Sequence, residues 1–184
     1  MNVYKDETMK EQIIKRMQFD NPWWVSGSIP NDYKSMQHRL YLDTFMPMVA
    51  DVSTRRGVIL MGPRRVGKTV MIFHTIEELI KNGVPAQKII YLSIDTPIYN
   101  NISLEDLLQL ARESLKQSDA SMDGYFVFYD EVQYLKDWEI HLKSLIDSYR
   151  NIKFVASGSA AAALKMKSTE SGAGRFTDFM LPPL

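Results

Sequence analysis

From Gly57 onward, short apolar runs alternate with longer segments whose apolar residues recur every three or four positions. Val58-Ile59-Leu60-Met61 is the first run. It marks a strand buried on both faces, because a strand with one wet face would alternate apolar and polar residues. Lys88–Asp95, Tyr125–Tyr129 and Ile152–Ala156 read as the second, third and fourth strands, and Phe176–Leu181 as a fifth. Between them, Lys68–Lys81 has a helical pattern, with Val70, Met71, Ile76, Leu79 and Ile80 apolar and Asn82-Gly83 as its stop. Ser103 opens the next helix as N-cap, with Asp106 three residues on as its capping partner. Leu104, Leu107, Leu108, Ala111 and Leu115 then share one face. Trp138–Tyr149, with Ile140, Leu145, Ile146 and Tyr149 apolar, and Ala160–Lys167 complete the helical segments. Strands that alternate with helices imply right-handed crossovers and a largely parallel α/β sheet with helices on both faces. Such sheets bind ligands outside the carboxyl ends of their strands.

The first fifty residues follow a different pattern. Thr8–Phe19 predicts a short helix with Ile13, Ile14 and Met17 at helical spacing. Asn21-Pro22-Trp23-Trp24, Gly27 and Pro30 then act as punctuation. Ser35–Ala50 reads as a second helix with Leu40, Phe45, Met48 and Val49 apolar and a kink at Pro47. The expected division is therefore a helical and extended segment over residues 1–50, docked on a core over residues 51–184.

Composition narrows the class. A chain of 184 residues, 45% hydrophobic and 24% charged, suits one soluble domain, or one domain plus an appendage, and excludes a disordered or collagen-like chain. The 22 basic and 22 acidic residues cancel, so net charge lends no support to a nucleic-acid partner. The absence of cysteine excludes thiol catalysis, thiolate zinc sites and disulfides. His38, His74 and His141 show no metal-ligand spacing. The charged amino terminus lacks the apolar core of a signal peptide, and no run approaches the roughly 18 apolar residues of a membrane span. A cytoplasmic protein with no membrane partner is expected.

The chemistry begins at the end of the first strand. Gly62-Pro63-Arg64-Arg65-Val66-Gly67-Lys68-Thr69 matches G-x-x-x-x-G-K-[ST], set between an apolar strand and the helix that continues through Val70. A loop that wraps a polyphosphate must curve tightly and present backbone N–H groups, which glycine permits. The helix that follows aims its positive end at the same anion. Lys68 would neutralise the β- and γ-phosphates, and the Thr69 hydroxyl would hold Mg²⁺. The third strand ends in Asp130-Glu131. Two carboxylates at the end of a buried strand require a cation or a solvated site. Asp130 would hold the Mg²⁺ of a Mg-ATP complex through the metal's water shell, and Glu131 would polarise the attacking water. A glutamate directly after this aspartate, and the absence of an Asn-Lys-x-Asp motif, favour ATPases of the additional-strand, catalytic-glutamate type. Membership of that group implies a P-loop NTPase fold, a three-layer α/β/α sandwich with strand order 5-1-4-3-2. The fourth strand would then bring Ser157 or Ser159 to the γ-phosphate, with Ser157 as a polar sensor or as a turn serine.

Asn21–Trp24 (NPWW), Gly62–Thr69, Phe128–Glu139 (FYDEVQYLKDWE), Ala156–Ala160 (ASGSA) and Gly172–Leu184 (GAGRFTDFMLPPL) together resemble the bacterial and archaeal AAA-type ATPases that carry a C-terminal domain of unknown function. The resemblance implies Mg-dependent ATP hydrolysis, with ADP as product, coupled to a protein client. It also implies that the full-length protein forms a homo-oligomer in which a neighbour's arginine completes the site. The alternative is an ATP-dependent switch or scaffold with very slow hydrolysis. Two departures stand out: Ala160, Ala161 and Ala162 replace further serines, and the chain stops at Leu184, where family members continue into a lid and the terminal domain. A truncated ATPase portion is expected. Arg175, in the Gly-Arg element, would act as sensor or finger or would pair with a surface acid. Arg64 and Arg65 would reach a neighbouring subunit or a local carboxylate. Trp23 and Trp24 would cover adenine or dock the amino-terminal segment, and Arg39 and Tyr41 would line the base pocket.

Overall fold

The computed structural model describes residues 6–116, 121–163 and 174–183. Five parallel strands form one sheet: β1 (Gly57–Met61), β2 (Ile89–Ser93), β3 (Phe126–Asp130), β4 (Lys153–Gly158) and β5 (Phe176–Met180). Their order is β2-β3-β4-β1-β5, which is the 5-1-4-3-2 order expected for a P-loop NTPase. The register aligns Leu60 with Ser157 and Met61 with Gly158, so the ends of β1 and β4 lie side by side. Ser93 likewise lies beside Asp130. Every residue of β1, β3 and β4 is buried, as the apolar runs within them predict, and the burial extends to Asp130, Lys153 and Ser157.

The helices that accompany the sheet include α1 (Glu7–Asp20), α2 (Trp23–Ser26), α3 (Asn31–Lys34), α4 (Leu42–Ala50), α5 (Lys68–Lys81), α6 (Leu104–Ser114) and α7 (Trp138–Ser148). α3 and α4 pack on α5, whereas α1 and α7 pack on α6, giving a helical layer on each side. The α6 cap forms as the sequence predicts. Ser103 Oγ accepts from the Asp106 N–H at 3.0 Å and donates to the Asp106 carboxylate at 2.9 Å. α5 is buried almost all round, including His74, Thr75 and Glu77, because the amino-terminal segment covers the face that the sheet does not.

That segment shares one hydrophobic cluster with the sheet through Ile13, Met17, Trp23, Phe45 and Val49. β2 is an edge strand, and its outer edge is not left bare. The Asn21 side chain imitates a neighbouring strand: its Oδ1 accepts from Tyr91 N at 2.6 Å and its Nδ2 donates to Tyr91 O at 2.9 Å. Both indole N–H groups, of Trp23 and Trp24, donate to the Ile89 carbonyl at 2.9 and 2.7 Å. An edge that would otherwise recruit another strand is thus blocked by side chains.

Three expectations change. Of the helix read over Ser35–Ala50, only Leu42–Ala50 is helical, and Leu40 is 88% exposed. Residues 35–41 instead carry Arg39 to the Gly62–Gly67 loop, a tertiary contact that periodicity does not register. Ile140, read as an apolar helix position, is 57% exposed, and α7 anchors through buried Trp138, Leu142, Leu145 and Ile146. The punctuation at Pro22–Gly27 encloses one helical turn, opened by Pro22 and closed by Gly27 at φ 70°. Helical backbone covers 160–163 of the predicted Ala160–Lys167; the remainder lies outside the described residues.

Candidate functional site

The loop after β1 leaves the sheet at Gly62 because no side chain fits there. A Cβ on Gly62 would sit 2.7 Å from the Leu181 carbonyl oxygen and 3.1 Å from Val66 Cγ1. Gly67, at φ 94°, turns the chain into α5 through the left-handed region. Arg65, at φ 63°, adopts that region without being glycine, which stores strain in the loop. Lys68 is buried and reaches back across the loop, donating to the carbonyls of Gly62 at 3.1 Å and Pro63 at 2.9 Å. The N–H groups of Lys68, Thr69 and Val70 lie in the first turn of α5, where no intrahelical partner exists for them.

Asp130 ends β3 almost wholly buried, and its charge is met by hydrogen bonds. Its Oδ2 accepts from Thr69 Oγ1 at 2.8 Å and from the Tyr91 hydroxyl at 2.8 Å. Its Oδ1 accepts from the Ser157 hydroxyl and from the Glu131 N–H at 3.1 Å. Burial, and then the neighbouring Asp130 charge, push the Tyr91 hydroxyl well above the usual tyrosine range, so Tyr91 remains a donor. The same two causes raise Tyr33. Ser157, fully buried, also accepts from Glu131 N at 3.1 Å, which joins the tips of β3 and β4. Glu131 itself sits at φ 56°. A left-handed residue at this point turns the carboxylate out of the strand direction, and a non-glycine residue holds such a conformation only where its surroundings enforce it.

The sequence brought Lys68, Thr69, Asp130, Glu131 and Ser157 forward as candidates, and the fold gathers all five at the carboxyl ends of β1, β3 and β4. Arg175 is not gathered with them. It immediately precedes β5, its carbonyl accepts from Gly57 N at 2.9 Å, and its Nε donates to Asp147 at 2.6 Å. A five-residue strand spans about 16 Å, so Arg175 lies at the opposite end of the sheet from the loop. The surface pairing is the arrangement seen. Arg64 donates to the Tyr134 hydroxyl at 2.7 Å, and both Arg64 and Arg65 are exposed. Trp23 and Trp24 dock on β2.

Two contributors escaped the sequence reading of the site, and a third, Arg39, makes contacts other than those read for it. Tyr91 binds Asp130 from β2, and nothing in KIIYLSID distinguishes it from a core tyrosine. Gln133 donates from Nε2 to the Glu131 carboxylate, and its Oε1 accepts from Ser159 N at 3.3 Å. It lies inside the FYDEVQYLKDWE stretch, so its position was a usable signal. Arg39, read only as a base-pocket residue, clamps the loop: it donates to Val66 O at 2.5 Å and Pro182 O at 3.1 Å, with Tyr41 beneath its guanidinium. A cavity of about 1000 Å³ opens beside Thr69, Asp130 and Glu131 and runs under the amino-terminal segment past Tyr33, Phe73 and Arg16.

Comparison with known proteins agrees with this geometry. An uncharacterized protein of Haemophilus influenzae is 28% identical over 127 residues, 68% of this chain and 31% of that protein. Two uncharacterized proteins of Methanocaldococcus jannaschii are 30% identical over 108 residues and 25% identical over 122 residues, covering 59% and 66% of this chain. The matches take in 22% and 26% of those two proteins, so the chain spans under a third of the relatives it resembles. Among the described residues no helix is long and apolar enough to cross a membrane. Residues 54–184, from just before β1 through Gly62–Thr69 and Asp130-Glu131, match the AAA domain, and the chain belongs to that family of nucleotide-binding, ATPase-like domains.

Proposed function

We propose that this chain binds Mg-ATP across Gly62–Thr69 and hydrolyses it, with Glu131 as the general base. One observation carries the reading: Thr69 Oγ1 lies 2.8 Å from Asp130 Oδ2, although the two residues are 61 positions apart. A hydroxyl and a carboxylate oxygen side by side suit Mg²⁺, a hard cation that binds few protein ligands and completes its shell with phosphate and water. Among the described residues no group of three or more His, Cys, Asp and Glu is placed to hold a metal alone. When bound, the ion would neutralise charge on the phosphate oxygens. Lys68 would move its ammonium from the Gly62 and Pro63 carbonyls to the β- and γ-phosphates. The free N–H groups of the first turn of α5 would cradle the same anion. Glu131 would accept a proton from the attacking water, and Ser157 would hold the Glu131 backbone and Asp130 in place. Coupling to a protein client, and completion of the site by a neighbour's arginine, belong to the same proposal. In a calorimetric titration with Mg-ATP, the wild type is expected to bind and Lys68→Ala to lose binding; equal affinities would overturn the reading.

A second reading, a switch that hydrolyses very slowly, draws on Gln133. Its amide engages the carboxylate that would have to receive the water's proton. A hydrogen bond to a charged group is worth about 1.5–3 kcal/mol. Gln133→Ala should then speed steady-state phosphate release by about 10–150-fold. A slower or unchanged rate would count against restraint by Gln133.

A further inference from the structure

The opposite end of the sheet holds a second concavity, of about 300 Å³, walled by Ile146, Tyr149, Ile152 and Phe154. Four cationic side chains line it: Arg55, Arg56, Arg150 and Lys153. Asp123 is its only acidic lining residue, and that carboxylate already accepts from Asn151 Nδ2 at 2.8 Å. The concentration is notable in a chain whose charges cancel overall.

Lys153 is the anomaly. It opens β4, a strand otherwise composed of apolar and small residues, and is only 5% exposed. Its ammonium donates to the Asp51 carbonyl at 2.6 Å. Among the described residues it forms no salt bridge, and a buried lysine is rarely left without one. Burial lowers its pKa, and the Asp51 charge opposes this only in part. Arg55 is held rigidly: its Nη2 donates to the carbonyls of Ile146 at 3.2 Å and Asp147 at 2.8 Å. Arg56 and Arg150 are exposed at the rim, and neither makes an ion pair among the described residues. A lysine buried at the start of β4, a guanidinium held by two backbone carbonyls and two exposed arginines therefore line one apolar-walled cleft. Its volume falls at the small end of the range for ligand pockets, roughly 300–1000 Å³.

We infer that this cleft is a binding site for a small organic anion, a carboxylate or phosphomonoester with a compact apolar body, distinct from the nucleotide site. The anionic head would sit between Lys153 and the two rim arginines, and the apolar body against Ile152 and Phe154. A nucleic-acid backbone fits the observations less well. It needs a basic stripe along a surface, whereas these cations line a concavity of about 300 Å³.

Phenyl phosphate is the probe, titrated calorimetrically in parallel with benzyl alcohol, inorganic phosphate and a single-stranded oligonucleotide. The expected result is phenyl phosphate binding with Kd below about 1 mM. It should weaken at least 10-fold in the double variant Arg56→Ala/Arg150→Ala and vanish in Lys153→Met. Inorganic phosphate should bind more weakly and benzyl alcohol not at all. In Lys68→Ala the phenyl phosphate affinity should be unchanged, which separates this site from the phosphate loop. The rim arginines are exposed, so their variant reports on the site even if Lys153→Met fails to fold. Four results would overturn the inference: no phenyl phosphate binding, binding lost in Lys68→Ala, equal binding in the rim variant, or binding of the oligonucleotide alone.

Discussion

Asp130 and Lys153 are charged side chains buried in neighbouring strands, one at the carboxyl end of β3 and the other at the amino end of β4. Burying either charge is costly unless it is hydrogen-bonded or paired. At Asp130 the fold meets that cost with neutral groups: the hydroxyls of Thr69, Tyr91 and Ser157 and the Glu131 N–H. At Lys153 it provides the Asp51 carbonyl and the partial support of the Asp51 charge, and the cleft beside it is lined by three arginines. The first end is a prearranged anionic site beside a loop with free backbone donors, which suits a metal–phosphate ligand. The second is a cationic site short of acceptors, which suits an anion. The same sheet thus presents opposite electrostatic demands at its two ends, and charge totals taken over the whole chain hide both.

Perturbing each end separates them, and the largest effect is expected at the carboxyl end. Glu131→Gln should retain Mg-ATP affinity and lower turnover by about 10²–10⁴, the usual range for loss of a general base. Unchanged phosphate release would remove Glu131 from the chemistry. The sheet edge should respond in stability instead. Asn21→Ala leaves the buried Tyr91 N–H and C=O without partners, at about 1–3 kcal/mol for each buried group. A loss of about 3 kcal/mol in denaturant unfolding is expected, and a loss below 1 kcal/mol would show that the Asn21 pairing is dispensable. The smallest effect belongs to the amino end. Arg175→Ala removes an exposed pair with Asp147 and should cost about 0–1 kcal/mol. A tenfold fall in turnover in that variant would place Arg175 in the reaction, acting on a neighbouring copy.

Residues 57–116 and 121–163 were the most legible part of the chain. Unbroken apolar runs located β1 to β4 to within a residue or two, and Ser103 announced the cap of α6. The loop motif and the Asp130-Glu131 pair were also legible, because local chemistry dictates both: a glycine-bounded turn into a helix, and two acids that a strand cannot bury unassisted. The amino-terminal fifty residues were less so. Asn21 looks like a turn residue until β2 is placed beside it. The 35–41 stretch has enough apolar positions for a helix, yet its geometry is governed by Arg39 reaching Val66 and Pro182.

Sequence alone therefore determined what is local: the periodicities, the phosphate-loop glycines, the acids at a strand end and the absence of thiol chemistry. Tertiary structure decided what depends on strand order and long-range contact. It set Tyr91 and Gln133 against the two acids and sent Arg175 to the far end of the sheet. It also brought the cations of two separate stretches, Arg55-Arg56 and Arg150 with Lys153, to the lining of one cleft. The physical reason is that spacing along a chain encodes which face a residue occupies, whereas the partner on that face is chosen by elements up to 143 positions away, as between Arg39 and Pro182.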